Sequence, residues 1–125
     1  MKLVQFWRNG APALGLQTQA GIVDAAAEAT RRGMTVPADM EEAILLGAEG
    51  VEQLLEPLTR GPVCLLPPEA VRLAPVVTEP GRILCIGLNY RQHARECDLP
   101  LPPAPVLFNK FHNALAAHEI GRAHV

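Results

Sequence analysis

The stretch from Arg82 to Glu96 reads Arg-Ile-Leu-Cys-Ile-Gly-Leu-Asn-Tyr-Arg-Gln-His-Ala-Arg-Glu. It opens with a short continuous apolar run, Ile83 to Ile86, which is typical of a strand buried on both faces of a sheet. Gly87 follows this run and permits a sharp turn, because glycine adopts backbone conformations that other residues avoid. The pattern therefore predicts a buried strand that ends in a turn.

A short helical segment is predicted after this turn. Asn89 can cap it, since its side chain can accept a hydrogen bond from the first helical N–H groups. The segment carries Tyr90, His93 and Glu96, and residues three apart lie on one face of a helix. Four prolines between positions 100 and 105 prevent the helix from continuing.

A second strand is predicted over residues 106–111, which read Val-Leu-Phe-Asn-Lys-Phe. It carries Lys110 between the aromatic residues Phe108 and Phe111. A lysine in an apolar strand could hold a substrate carboxylate or a developing enolate. A strand lysine that simply faces solvent is the plainer interpretation, and the sequence alone leaves both open.

His93 and Glu96 are the candidate catalytic pair. A carboxylate beside an imidazole raises its basicity and fixes its tautomer, as a general base requires. The His-x-x-Glu spacing also occurs often by chance, and a surface ion pair is then its usual explanation. Tyr90 shares their predicted face, and its plain interpretation is a packed aromatic ring with a solvated hydroxyl.

Two cofactor sites are disfavoured by spacing. A zinc site built from His93, Glu96, Cys97 and Cys85 matches no known zinc-ligand pattern, because no Cys-x-x-Cys pair is present. A dinucleotide site would need the Gly-x-Gly-x-x-Gly signature, whereas Gly87 is a single glycine after its strand.

Local signals also predict the elements of the N-terminal part. A hairpin is predicted from Leu3 to Leu16 around an Asn9-Gly10 turn, followed by a short strand over residues 21–23. One helix should begin after Asp24 and end before Gly33, and a second should begin near Asp39 with Glu42 completing a capping box. Pro57 should end the second helix.

A domain boundary is predicted near residue 75, within a proline-rich stretch from 61 to 80. The resulting segments are an N-terminal domain over 1–75, a second domain over 76–118 and a final segment over 119–125. The last segment back-translates into the beginning of a common sequencing adapter, so we expect it to be a non-native tail on an N-terminal fragment.

Composition narrows the class of protein. The chain has 125 residues, of which 49% are hydrophobic and 19% charged, with a net charge of −2. These values favour a globular protein and give no electrostatic reason to expect a nucleic acid or a membrane as partner. Three cysteines without close pairing predict no disulfide framework, and the lack of an apolar signal segment predicts a cytoplasmic location.

Three stretches of this chain resemble the fumarylacetoacetate hydrolase family. The resemblance rests on residues 82–96, on Leu-Pro-Leu-Pro at 99–102 and on residues 105–116, and it is looser over 1–79. It implies an α+β chain, in which a small N-terminal domain with a β-hairpin and helices precedes the first strands of a truncated mixed β-sandwich roll.

The resemblance also implies a function. Members of the family cleave C–C bonds of diketo acids, decarboxylate 2-oxo acids or isomerise dienoic diacids, usually as homodimers. His93 and Glu96 match the catalytic pair, Lys110 and Tyr90 match substrate-binding positions, and the proline-rich link matches a mobile lid. The family's Mg2+ ion (Mn2+ or Ca2+ in some members) is held by downstream residues, so no metal ligand is expected here and the fragment alone should be inactive. The alternative is a small non-catalytic assembly domain.

Overall fold

The computed structural model describes residues 2–117, and these form two compact units. The first comprises residues 2–78 with 116–117, and the second comprises residues 79–115. The predicted segment limits at 75 and 118 stay predictions. The predicted tail over 119–125 lies outside the described residues.

A four-stranded antiparallel sheet forms the centre of the first unit, with its strands in chain order. The strands are β1 (Lys2–Arg8), β2 (Ala11–Gln17), β3 (Ile22–Asp24) and β4 (Leu65–Leu66). The predicted hairpin is confirmed, since β1 pairs with β2 across the Asn9-Gly10 turn. Both turn residues have positive φ, 53° and 83°, which is the geometry that a tight two-residue hairpin turn requires.

The third strand is also confirmed, but β4 has no counterpart in the sequence-based prediction. A two-residue strand is too short to show the alternation that identifies strands. Its pairing with β3 depends on Gly21, where a Cβ atom would lie 2.8 Å from the carbonyl oxygen of Leu66. Glycine at this position therefore lets the two backbones approach.

Helix α1 (Ala25–Arg32) follows β3 directly. The Asp24 carboxylate accepts a hydrogen bond from the N–H of Ala27 at 3.0 Å, and Gly33 ends the helix with a left-handed conformation, φ 66°. Both predicted ends are confirmed. The same carboxylate accepts two hydrogen bonds from Arg8 on β1, at 2.6 and 2.8 Å, so it joins the sheet to the helix.

Helix α2 (Met40–Leu55) begins after Asp39, whose carboxylate accepts a hydrogen bond from the N–H of Glu42. The Glu42 carboxylate accepts one in return from Ala38, one residue earlier than a capping box requires. The helix is kinked at Gly47, where φ is 72° and ψ is 174°. It ends before a short 3-10 turn over Glu56–Thr59, which contains Pro57, so the predicted end is confirmed.

Two apolar clusters cover the two faces of this sheet. The larger cluster packs helices α1 and α2 against one face, with Leu14, Leu16, Val23, Leu55 and Leu58 fully buried. The smaller one lies around Phe6 and Ile22 and is closed by Val71. Burial of this kind contributes about 25 cal/mol for each Å2 of apolar surface removed from water, and it holds the first unit together.

Besides a 3-10 turn over His112–Ala114, the second unit contains one antiparallel strand pair and one α-helix. These are β5 (Ile83–Gly87), α3 (Arg91–Glu96) and β6 (Val106–Lys110). Ile83 pairs with Lys110 at one end of the ladder, and Gly87 pairs with Val106 at the other. The mixture of helices and antiparallel sheets in both units agrees with the expected α+β class.

Three expectations for the second unit are wrong in detail. β5 is not buried on both faces, since Leu84 is 64% exposed, and β6 is the one strand that pairs with it among residues 2–117. Asn89 does not cap α3; Tyr90 occupies the capping position and makes no side-chain cap bond. β6 ends at Lys110, so Phe111 lies outside the strand.

Candidate functional site

The candidate site lies on α3 and on the turn that leads into it from β5. Leu88 adopts a positive φ of 49°, which reverses the chain between the strand and the helix. Ala94 is the buried residue of α3. The opposite surface, which carries the predicted catalytic pair, is exposed to solvent.

Tyr90 and Lys110 lie at opposite ends of this unit's secondary structure. Tyr90 precedes α3 and is 72% exposed, so it is not the packed aromatic of the plain interpretation. Lys110 is the last residue of β6, four residues from Val106 and therefore about 13 Å along the strand from the turn. Its ammonium group lies 5.6 Å from the centre of the Phe108 ring, a cation–π contact.

His93 and Glu96 share α3, but their side chains have different partners. The Glu96 carboxylate accepts a hydrogen bond from the amide of Gln92 at 3.0 Å. The thiol of Cys97 lies 3.7 Å from Nδ1 and 4.0 Å from Nε2 of the His93 imidazole. The structure therefore places the pair on one helix without joining the two groups.

A cleft of about 380 Å3 lies beside the start of α3. It is lined by the turn and the proline-rich link: Ile86, Gly87, Leu88, Asn89, Arg91, Leu101, Pro102, Pro103, Ala104 and Pro105. Arg91 is the charged residue of this lining, and a guanidinium binds carboxylates well because it offers two parallel donors. The cleft can therefore take a small anionic ligand.

None of the four predicted site residues belongs to this lining, whereas Asn89 and Arg91 do. Sequence reasoning assigned Asn89 to a helix cap and gave Arg91 no role. The sequence did contain a signal for Arg91. It is a cationic residue between a turn that ends a strand and a histidine, in a segment that is followed by prolines.

The described residues do not fit a Mg2+ ion. Mg2+ prefers octahedral oxygen ligation, usually with carboxylates and retained waters. Within residues 2–117 no three or more histidine, cysteine, aspartate or glutamate side chains form a metal-binding group. The Glu96 carboxylate is hydrogen-bonded to Gln92. Asp98 lies after the end of α3 and has a positive φ of 52°.

In the described part of the chain, no helix has the length and apolar character needed to cross a membrane. The three cysteines, Cys64, Cys85 and Cys97, are free thiols, as their spacing predicted.

Known proteins resemble this chain over most of its length, although no protein-family profile matches it. Oxaloacetate tautomerase FAHD2A, mitochondrial, from Bos taurus is 34% identical over 120 residues, which is 92% of this chain and 36% of that protein. Fumarylacetoacetate hydrolase domain-containing protein 2 homolog from Dictyostelium discoideum is 54% identical over 37 residues, which is 30% of this chain and 12% of that protein. The chain belongs to the fumarylacetoacetate hydrolase family.

A solved structure shares the fold of this chain. A protein from Mycobacterium smegmatis assigned as HpcE superposes with a TM-score of 0.63 over 90% of this chain and 36% of that chain, at 24% identity. The chain spans about a third of the length of the curated relatives with the longest matches, so it corresponds to part of a family member.

Proposed function

We propose that this chain is part of an enzyme that acts on a diketo acid or a related 2-oxo acid. The reaction is a hydrolysis, an isomerisation or a decarboxylation, with a C–C bond or an acidic C–H bond beside a keto group as its target. The proposal depends on one observation, the position of His93 and Arg91 on α3. An exposed imidazole, His93, lies on the helix whose first residue, Arg91, lines an anion-compatible cleft.

His93 is proposed to move the proton. A neutral imidazole can accept a proton from a carbon or a water and return it to an oxygen. Glu96 is proposed to raise the basicity of His93. Its carboxylate is exposed and its present partner Gln92 is also exposed, so a change of rotamer can redirect it toward the imidazole.

Substrate binding is proposed to use cationic and hydroxyl groups of the same unit. Arg91 is positioned for a carboxylate of the substrate, while Lys110 and Tyr90 are proposed as additional contacts. Lys110 lies at the far end of the strand pair, so its role requires a substrate or a rearrangement that reaches it. The link over 97–105 is proposed as a lid, since closing it would exclude water from the cleft.

The longer parent protein is proposed to contain the rest of the site. Residues 79–115 would supply the first strands of the family's β roll, and the parent would bind a divalent cation, Mg2+ or else Mn2+ or Ca2+, through residues outside this chain. Such a cation supplies Lewis acidity to a keto oxygen. A homodimeric assembly and a cytoplasmic location are proposed with it.

The test uses the longer parent protein and two assays, because the curated relative is named an oxaloacetate tautomerase and the family resemblance indicates diketo acid cleavage. Keto–enol interconversion of oxaloacetate and cleavage of an acylpyruvate are followed by absorbance. His93→Ala should lower turnover by about 10²- to 10⁴-fold, the contribution expected of a general base. Glu96→Gln should have an equal or smaller effect.

The matched control is His112→Ala, which removes an exposed histidine whose Nε2 contacts the carbonyl oxygen of Pro80. This variant should keep turnover within a few-fold of wild type. Near-normal rates for His93→Ala in both assays would contradict the proposed role of His93.

A second candidate function, a non-catalytic assembly domain, is favoured by one observation. The strand pair exposes Leu84, Ile86 and Leu107 on one face, an apolar surface typical of contacts with other chains. The downstream sequence of the parent distinguishes the two functions, since a pair of nearby glutamates followed by a further acidic residue would supply the metal ligands of an enzyme.

A further inference from the structure

The thiol and the imidazole at the end of α3 form an exposed pair of metal-binding groups. His93 and Cys97 are four residues apart, so their side chains meet on one face of the helix. The sulfur lies 3.7 Å from Nδ1 and 4.0 Å from Nε2, and both residues are exposed. Cys97 has a free thiol.

The 3.7 Å separation of Sγ and Nδ1 is close to the distance between two ligands of one tetrahedral cation. Because Nε2 is almost equally near the sulfur, at 4.0 Å, the ring must turn to direct one nitrogen at the cation. Zinc binds thiolate sulfur at about 2.3 Å and imidazole nitrogen at about 2.0–2.1 Å. With a tetrahedral angle between these bonds, the sulfur and nitrogen lie about 3.6 Å apart. The pair therefore needs only rotation of two exposed side chains, and no movement of the backbone, to hold a cation.

We propose that His93 and Cys97 bind one thiophilic divalent cation, Zn2+ in particular, with water completing its coordination. On binding, the Cys97 thiol loses its proton to solvent, the sulfur–metal bond forms, and His93 donates a ring nitrogen in its neutral form. Mg2+ is excluded from this pair because it prefers oxygen ligands.

The pair differs from a structural zinc site, which uses four protein ligands. Two protein ligands and water give a weaker, reversible site whose occupancy follows the free zinc concentration. Nearby charges do not add to the attraction, because the carboxylates of Glu96 and Asp98 are offset by Arg91 and Arg95. The affinity therefore depends on the two ligands themselves.

The consequence for activity rests on the proposed function. A His93 nitrogen bound to zinc cannot accept a proton, so the cation would inhibit the parent enzyme reversibly. The same pair would then connect the availability of zinc to the residue proposed to move the proton.

The first experiment measures binding to this 125-residue chain without any activity assay. Zn2+ is titrated calorimetrically into the reduced protein in two buffers with different ionisation enthalpies, which reports the protons released. We expect one Zn2+ per chain and release of about one proton, since the bound thiolate must be deprotonated. Excess Mg2+ should not displace it.

Variants locate the site. Cys97→Ser and His93→Ala should each lower the affinity at least about tenfold, since even the loss of a group that only orients a metal ligand costs 10–100-fold. The matched control is Cys64→Ser, which removes another exposed free thiol in the first unit. This variant should leave the Zn2+ affinity unchanged. Circular dichroism is used to check that each variant keeps its secondary structure.

Three results would overturn the proposal: no Zn2+ binding at millimolar concentration, an unchanged affinity in Cys97→Ser, or an equal loss in Cys64→Ser. A separate assay on the active parent compares Zn2+ inhibition of each protein with its own uninhibited rate. Inhibition should weaken at least about tenfold in Cys97→Ser. If the chain binds Zn2+ but the parent protein is inactive, the proposed function is wrong and the proposed zinc site still stands. The two failures are therefore distinguishable.

Discussion

Gln5 is a buried polar residue that joins three parts of the first unit. Its amide oxygen accepts a hydrogen bond from the N–H of Met40 at 2.8 Å, and its amide nitrogen donates one to the carbonyl oxygen of Pro75 at 3.0 Å. Met40 is the first residue of α2, where backbone N–H groups have no partner within the helix. One side chain on β1 therefore satisfies a helix end and positions the segment that follows β4.

The first prediction at this scale concerns Gln5→Ala. The substitution leaves the buried Met40 N–H and the half-buried Pro75 carbonyl without their partners, and a buried unsatisfied group costs about 1–3 kcal/mol. We expect the free energy of unfolding to fall by about 2 kcal/mol or more in urea denaturation followed by circular dichroism.

The control for Gln5 is Gln17→Ala, which removes an exposed glutamine from β2. Its effect should stay within about 0.5 kcal/mol, as for most surface substitutions. Equal destabilisation by the two variants would mean that the hydrogen bonds of Gln5 add nothing beyond strand propensity.

Individual side-chain partners were the least predictable part of the sequence. Gln5 gives no sign of burial, because its role depends on a helix and a loop that are 35 and 70 residues away. His93 shows the same limit at close range. The sequence offers Glu96 at three residues and Cys97 at four, both spacings bring side chains together on a helix, and rotamers decide between them.

At the scale of elements, α1 is tied to the chain after α2 by one buried carboxylate and two arginines. The Glu28 side chain is 1% exposed and accepts hydrogen bonds from Arg31 and Arg32. Arg32 also donates to the carbonyl oxygens of Pro57 and Arg60. The hydrogen bond from Arg31 is the main cause that lowers the pKa of Glu28 from 4.5 to about 2, against the opposing effect of burial.

This shift predicts how stability depends on pH. A carboxyl whose pKa is lower in the folded protein stabilises it above the unfolded value near 4.5, and this contribution is lost as pH falls toward 2. Thermal unfolding at pH 6 should show a lower midpoint for Glu28→Gln than for wild type. The difference should shrink steadily between pH 4.5 and pH 2.

The matched control for Glu28 is Glu49→Gln on α2, where the carboxylate is exposed. Its midpoint should follow that of wild type across the same range. If the difference in unfolding midpoint between Glu28→Gln and wild type stays constant down to pH 2, the stabilisation by Glu28 does not come from its charge.

Elements with local signals were predictable, and elements set by distant partners were not. The Asn9-Gly10 turn, the Asp24 cap and Pro57 each act within a few residues, so the hairpin, the start of α1 and the end of α2 were predicted correctly. Strand β4 forms because β3 offers an edge, and the burial of β5 depends on what covers it. Neither condition can be predicted from the sequence of the strand itself.

At the scale of the whole molecule, the two units differ in how much apolar surface they bury. Residues 2–78 contain two clusters of buried side chains on the two faces of a four-stranded sheet. In residues 79–115, Ala94 is the buried apolar residue of the described set. Large apolar side chains are exposed there instead: Leu84, Ile86, Leu99, Leu101, Val106, Leu107, Phe108 and Phe111.

The last prediction concerns amide hydrogen exchange in the 125-residue chain. A single antiparallel strand pair is marginally stable in water, so β5 and β6 should open with a much smaller free energy than the strands of the first unit and exchange faster. The strands β1 to β3 should be protected to nearly the full free energy of unfolding, because their hydrogen bonds break only when the larger cluster does. The measurement is exchange followed by NMR or by mass spectrometry of peptic fragments.

The apolar face of the second unit should also make the chain self-associate as its concentration rises, since unpaired strand edges and apolar patches promote such contacts. Exchange is therefore measured at several protein concentrations, and protection of residues 83–110 should increase with association. Strong protection of this segment at a concentration where sedimentation shows a monomer would contradict the prediction. It would mean that the second unit is stable without the remaining two thirds of a family member.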